Sequence, residues 1–197
     1  MVSGLSRNEQ LIKFFVQAVP HCLGRTILVK LMYMTDYEAR RYLGAPISRF
    51  VWTREPQGPF DNAFYAARDA LVDKGLLVEL KDVTPFGNPW YQYRDTPTLV
   101  EFDFSPAERR VLEYIVATYG NHSREEILAD VYTTAPFKAV EDSPRHTRIP
   151  MEIVDEARKR EFGGVNLEEL IEAEERFRRG LGVPGSEVIQ VLRRGVA

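Results

Sequence analysis

Histidine and cysteine, the residues that most often carry metal or nucleophilic chemistry, are scarce in this sequence. The three histidines, His21, His122 and His146, lie far apart, and none stands in an HxxxH or HExxH spacing. Cys22 is the only cysteine, so an internal disulfide and a thiolate metal cluster are excluded. Although Cys22 follows His21, neighbouring side chains project in different directions, and a catalytic Cys and His normally meet through the fold. We therefore predict neither a metal site nor a catalytic cysteine.

The motifs of the common enzyme classes are also missing from the sequence. It contains no GxxxxGK[ST] loop for phosphates, no GxSxG nucleophile elbow and no GxGxxG dinucleotide loop. The acidic stretch LEELIEAEERFRRG, residues 167–180, has acids first and bases last, which suits a helix dipole and i,i+4 ion pairs better than a carboxylate site. We predict a protein without catalytic residues and without a cofactor, hence not an enzyme.

One helix mixes aromatic and charged residues in an unusual way. In KLMYMTDYEARRYLGAPI, residues 30–47, Lys30, Tyr33, Tyr37 and Arg40 follow the spacing i, i+3, i+7, i+10 and share one face, while Leu and Met occupy another. In one interpretation the tyrosines are half-buried against a neighbouring helix with their hydroxyls in water. In the other they border a groove for a partner, because Tyr and Arg dominate many binding interfaces.

The helices that must position these residues have well-marked ends. Ser or Asn precedes Glu by three residues at four places, a pattern that caps the free N–H groups of a helix start: Ser6 with Glu9, Ser105 with Glu108, Ser123 with Glu126, and Asn166 with Glu169. Glycines are expected to end helices, and for the first three we predict the left-handed conformation: Gly44, Gly75, Gly120 and Gly180.

Two β-prone segments interrupt the helices. SRFVWTRE, residues 48–55, predicts a short strand, and LLVELKDVTPFGNPWYQYRD, residues 76–95, predicts a hairpin. The order helix, helix, strand, helix, hairpin is winged-helix-like, with the lone strand expected to pair with the hairpin. The second half predicts helices at 106–119, 124–133, 151–162, 167–179 and 187–193. The predicted fold is mainly α with a small antiparallel β-sheet (α+β): a domain over 1–146 and a helical C-terminal extension over 147–197 packed on it.

Charge and hydropathy narrow the classes of partner. The chain of 197 residues has 26 Lys and Arg against 29 Asp and Glu, a net charge of -3, so no basic excess favours nucleic acid. No apolar run approaches the roughly 20 residues of a membrane span, and the first residues lack the pattern of a signal peptide. We expect a soluble cytoplasmic protein that binds neither membranes nor nucleic acid.

Several short motifs of the sequence resemble those of a known family. LVKLMYMTDYEARRYLGAPIS, the aromatic strand FVWTRE, then GPF and AFYAARDAL are similar to the Panacea domain of SocA-like antitoxins, which typically reads KLLYYAD, G.PI, AW.YGPV in that order. The resemblance covers roughly residues 8–140. The sequence departs from the pattern at Gln57, where the family has an aromatic residue, and at Thr133 and Thr134, where it often has a histidine.

The resemblance implies a binding module of a toxin–antitoxin or phage-defence system. Its partner would be a cognate toxin, neutralised by direct binding, and a SocA-like member can act as an adaptor that delivers the toxin to a Clp-type protease. We expect one aromatic groove rimmed by arginines, formed by nine partner-binding residues: Lys30, Tyr33, Tyr37, Arg40, Trp52, Arg54, Gly58, Pro59 and Phe60.

A winged-helix DNA-binding transcriptional regulator is the alternative. In it DNAFYAARDALVDKG, residues 61–75, would be the recognition helix and the hairpin around Gly87 the wing. That helix carries Asp61, Asp69 and Asp73 against Arg68 and Lys74. Since acids on the groove-facing helix repel phosphate, we expect these aspartates at or near solvent and favour protein binding.

Overall fold

The computed structural model describes residues 2–19, 23–83, 87 and 89–162. This part of the chain contains seven helices and five short strands. The predicted class, mainly α with a small antiparallel sheet, is therefore confirmed.

Three helices form the N-terminal half: α1 (Arg7–Ala18), α2 (Arg25–Leu43) and α3 (Ala63–Asp73). The capping box predicted at Ser6 is present, because its hydroxyl accepts from the N–H of Glu9 while the Glu9 carboxylate accepts from the N–H of Ser6. Helix α2 ends at Gly44, which has φ 81° and donates to the carbonyls of Ala39 and Arg40. The left-handed helix end predicted there is confirmed.

The main sheet has three antiparallel strands in the order β1-β5-β4: β1 (Leu23–Gly24), β4 (Leu77–Val83) and β5 (Pro89–Asp95). A strand between the first two helices that joins a later hairpin is typical of winged-helix domains. The predicted pairing of strand 48–55 with this hairpin is wrong. Residues 53–55 form β2 (Thr53–Glu55), which turns at Pro56 and Gln57 and pairs with β3 (Gly58–Phe60), while Leu23 pairs with Tyr93.

Four helices follow the sheet: α4 (Pro106–Tyr119), α5 (Arg124–Thr133), α6 (Ala135–Lys138) and α7 (Ile153–Phe162). The capping boxes predicted at Ser105 and Ser123 are both formed. The predicted helix start at Asn166, the helices 167–179 and 187–193, and the helix end at Gly180 lie outside the described residues. The division into 1–146 and 147–197 stays a prediction.

Two glycines show different reasons for ending a helix. Gly75 has φ 66°, so the left-handed conformation predicted there is confirmed. Gly120 has φ -61°, so the same prediction for Gly120 is wrong. Its backbone continues the helical turn, and a Cβ built on it would lie 2.4 Å from the carbonyl oxygen of Val116. Glycine therefore provides space at this position rather than conformational freedom.

Helix α2 is the centre of the fold. It packs against α1, α4, α5 and α7, and most of its residues are buried. Because it is surrounded, its polar side chains meet protein rather than water on nearly every face. In the described part of the chain, no helix combines the length and apolar character needed to cross a bilayer.

Candidate partner-binding site

A buried carboxylate on α2 organises the segment that follows the helix. Asp36 accepts hydrogen bonds from the backbone N–H groups of Ile47 (3.0 Å) and Ser48 (2.8 Å), from the Ser48 hydroxyl and from the indole Nε1–H of Trp52 (2.8 Å). Burial raises the pKa of Asp36, although the four donors favour its ionised form. The Asp36 side chain therefore holds the motifs GAPI and FVW, which follow the helix, against α2.

The aromatic residues of the predicted groove lie at different depths. Tyr33 is 0% exposed, its ring meets that of Trp52 edge-on at 5.5 Å between centroids, and its hydroxyl is 2.9 Å from the Thr134 hydroxyl. Burial also raises the pKa of Tyr33. Tyr37 is half-buried, and Arg40 forms an ion pair of 3.0 Å with Asp155 of α7. Tyr33 and Trp52 thus belong to the core.

The structure does not bring the predicted residues together in one open groove along α2 and β2, because residues 146–149 hydrogen-bond along β2 and Lys30, Tyr33 and Trp52 are buried. The N–H of Arg54 donates to the Thr147 carbonyl (2.8 Å), the N–H of His146 donates to the Arg54 carbonyl (2.9 Å), and the N–H of Ile149 donates to the Trp52 carbonyl (2.9 Å). The connector around residues 144–151 therefore runs alongside β2, with an isolated antiparallel bridge between Arg148 and Thr53. The guanidinium of Arg54 also donates to the Glu141 carbonyl at 3.0 Å. A smaller pocket of about 190 Å³ is lined by Arg40 and Trp52. Partner contact by the nine residues stays a prediction.

An open pocket of about 360 Å³ remains on the other side of β2. It lies between the start of α2, the β2–β3 hairpin, the start of α3 and the connector. Three of the nine residues predicted to bind the partner line it: Lys30, Gly58 and Phe60. The other residues of the lining were not predicted from the sequence: Arg25, Thr26, Val29, Thr53, Glu55, Pro56, Gln57, Asn62, Tyr65, Arg145 and His146.

Lys30 lies at the inner end of this pocket. Its side chain is buried, and its amine donates to the Pro59 carbonyl at 2.6 Å. Burial, with a smaller contribution from the positive charge of Arg124, lowers the pKa of Lys30 to about 7. Near neutral pH the pocket therefore contains an amine that exchanges readily between its charged and neutral forms.

We expect the Lys30 amine to titrate close to neutrality, well below an ordinary lysine. NMR detection of the lysine side-chain resonances during a pH titration should give one midpoint at about 7. Replacing the nearby cation by Arg124→Gln should move this midpoint upward, because a like charge disfavours the ammonium. A Lys30 midpoint near that of exposed lysines in the unmodified protein would contradict the prediction.

The hairpin turn that closes the pocket requires glycine. Gly58 has φ 84°, and a Cβ built on it would lie 3.0 Å from Cε1 of Tyr132 and 3.1 Å from Cε of Lys30. Both the backbone conformation and the close approach to Lys30 exclude larger side chains without displacement. The adjoining Pro59 is buried and presents its carbonyl to the amine.

The rim of the pocket is charged. The carboxylate of Glu55 contacts two basic side chains. Its Oε2 lies 3.0 Å from Nη2 of Arg145, and its Oε1 lies 2.5 Å from Nδ1 of His146. His146 has φ 66°, the one left-handed non-glycine residue in the described part of the chain. No sequence pattern links Arg145 and His146 to β2, about ninety positions earlier, so the sequence contains no signal for their place at the pocket. No group of three or more His, Cys, Asp and Glu suited to a metal occurs among the described residues.

Comparison with known proteins agrees with the resemblance carried by the sequence motifs. The family model described as "Antitoxin SocA-like, Panacea domain" matches residues 28–136. No curated protein and no solved structure matches the chain significantly. The matched range runs from α2 to α6 and contains Asp36 with its donors, Lys30 and the β2–β3 hairpin. The chain therefore belongs to the SocA-like antitoxin family, and residues 28–136 are its Panacea domain.

Proposed function

We propose that this protein is an antitoxin that neutralises a partner toxin by direct binding. The observation that carries the proposal is the family match over residues 28–136, since the SocA-like antitoxin family implies a toxin partner in general and is generally non-enzymatic. The open pocket beside β2 supports it with a surface where an aromatic ring pair and several charged side chains are accessible together. The pocket mouth is the partner surface in this proposal.

The nine residues named from the sequence have two kinds of role in this proposal. The buried ones hold the surface in place from behind: Tyr33 and Trp52 in the core, and Lys30, Gly58 and Pro59 beneath the hairpin. Of the half-buried ones, Phe60 lines the pocket, whereas Tyr37, Arg40 and Arg54 lie outside its lining. Partner contact by each of them stays a prediction.

The alternative role in DNA binding is less well supported by α3. On this helix Asp69 and Asp73 are exposed, and Asp61 just before it is half-buried, with its carboxylate accepting from the N–H of Val51 at 2.6 Å. A helix with these acids at its surface repels a phosphate backbone. The winged-helix-like sheet is a likeness of fold, which does not by itself indicate DNA binding.

The test is co-expression with the product of the adjacent reading frame. We expect that product to arrest growth alone, to be tolerated beside this protein and to co-purify with it. Tyr65→Ala, which removes a ring from the pocket wall, should weaken protection, because buried aromatic anchors each contribute about 2 kcal/mol or more to a complex. The matched control is Tyr114→Ala on α4, where the ring is exposed and outside the pocket.

Two outcomes would contradict the proposal. If neither neighbouring reading frame encodes a protein that is toxic alone, the antitoxin role is wrong. If both tyrosine variants are folded and protect equally well, the pocket is the wrong surface.

Delivery to a Clp-type protease is a finer proposal, which predicts that the toxin disappears in cells with the protease and accumulates in inactive complexes in cells without it.

A further inference from the structure

The residues that line the pocket include more basic than acidic side chains, which favours the binding of an anion. Its lining contains the basic residues Arg25, Lys30, Arg145 and His146 and a single acid, Glu55. Both Arg145 and His146 contact Glu55, which leaves the inner part of the pocket without a negative charge. This local excess stands against a chain whose net charge is -3. We propose that the pocket receives a carboxylate of the partner toxin, from either an Asp or Glu side chain or its chain terminus.

Arg25 is held in place to meet such a group. Its guanidinium lies over the ring of Tyr91 at 4.8 Å and near that of Tyr65 at 5.9 Å, and its Nη1 donates to the Tyr65 hydroxyl at 3.4 Å. Within the described part of the chain it forms no ion pair. Aromatic contacts fix the orientation of the planar group without neutralising its charge, so the donors of Arg25 stay available for a carboxylate.

Lys30 supplies a second donor from the inner end. Its amine has one carbonyl acceptor, that of Pro59, whereas an ammonium carries three N–H donors. A buried ammonium is costly unless it is paired with an opposite charge. An entering carboxylate would provide that charge, so binding and protonation of Lys30 favour each other.

The dimensions of the pocket favour a carboxylate on a carbon stem. Its volume of about 360 Å³ exceeds that of an isolated small ion and falls within the range of small-ligand sites, about 300 to 1,000 Å³. Val29, Pro56 and the ring of Phe60 give the wall apolar surface between the charged groups. Methylene groups or a peptide backbone would cover this surface while the carboxylate reaches the cations.

The linkage has a definite sign. A carboxylate stays ionised across the range, and pairing raises the pKa of Lys30 from its value of about 7 in the empty pocket. The affinity for a carboxylate is therefore highest below about pH 7. It falls as the pH rises above this value and through the higher pKa that Lys30 has in the complex. The other titratable and charged groups that line the pocket or lie near Lys30 are Arg25, Glu55, Tyr65, Arg124, Tyr132, Arg145 and His146.

The experiment uses small carboxylates, so it does not require the toxin. The full-length protein is titrated with N-acetylglutamate α-amide, which presents a side-chain carboxylate, and with N-acetylglycylglycine, which presents a chain terminus. The neutral amide of each compound is the control, and amide resonances of Gln57 and Gly58 report binding. We expect saturable shifts with at least one acid and none with the amides. Affinity should fall about tenfold or more between about pH 6 and pH 9.

Variants locate the site. Lys30→Met and Arg25→Gln should each weaken binding about tenfold or more, and Arg25→Gln keeps the test valid if Lys30→Met does not fold. Arg49→Gln removes an exposed cation outside the pocket and should bind like the unmodified protein. Absence of saturable shifts, equal binding of the neutral amides, or tighter binding of inorganic phosphate would overturn the proposal. The choice of a toxin as the carrier rests on the proposed function, and toxin co-expression tests that part separately.

Discussion

Asp36→Leu should destabilise the protein by about 4 kcal/mol or more, because it leaves four donors without their acceptor. The two backbone N–H groups of Ile47 and Ser48 and the indole N–H of Trp52 cannot turn towards water, since Asp36 and its donors are buried together. Each unsatisfied buried donor costs about 1 to 3 kcal/mol. Domains of this size are stable by only about 5 to 15 kcal/mol, so this one substitution removes much of the free energy of unfolding.

Urea unfolding followed by circular dichroism measures the effect. Asp36→Asn retains one carbonyl oxygen as an acceptor and should cost less than leucine. The matched control is Asp73→Leu, at an exposed position on α3, where the free energy of unfolding should change by no more than about 0.5 kcal/mol. Equal unfolding midpoints for the two leucine variants would show that Asp36 does not organise this region.

Trp52→Ala should cost about 4 kcal/mol, typical of removing a large aromatic side chain from a core. Trp52 is 3% exposed, packs against the rings of Tyr33 and Phe50, and donates to Asp36. Its removal leaves a cavity and also an acceptor without its donor. The matched control is Trp90→Ala, whose ring is 45% exposed on the hairpin and whose loss should change stability by about 0.5 kcal/mol or less.

Thermal unfolding and partner binding together separate a core role from a contact role for Trp52. If Trp52 contacts the toxin, Trp52→Ala should remain folded and lose protection. If it belongs to the core, the variant should lose thermal stability first, and Trp52→Phe should restore most of the packing. A Trp52→Ala protein as stable as the unmodified chain would show that the core assignment is wrong.

The helices of this protein could be predicted from sequence because the signals that begin and end them are local. A serine and a glutamate three residues apart satisfy the same backbone groups wherever the helix packs, and all three such pairs within the described residues form capping boxes. The left-handed glycines at 44 and 75 were equally predictable. The exception, Gly120, depends on contact with its own preceding turn, which sequence patterns do not distinguish from a conformational requirement.

Strand pairing could not be predicted in the same way. Residues 53–55 are β-prone, but whether they pair with the distant hairpin or with residues 58–60 depends on where the chain turns. The two-residue strand Leu23–Gly24 is too short to give a periodic pattern, yet it takes the place beside β5. A strand partner is chosen by the geometry of the whole sheet, since every strand offers the same backbone groups.

The family and the type of fold were determined by the sequence alone, because the motifs and the helix caps depend only on residues close together in the chain. The tertiary structure alone decided which of those residues are accessible. It buried Tyr33 and Trp52, brought the connector alongside β2, and joined Lys30 and Phe60 to Arg25, Tyr65 and Glu55 in one pocket. Helical spacing places side chains on a common face, but only the elements packed against that face determine whether it meets protein, water or a partner.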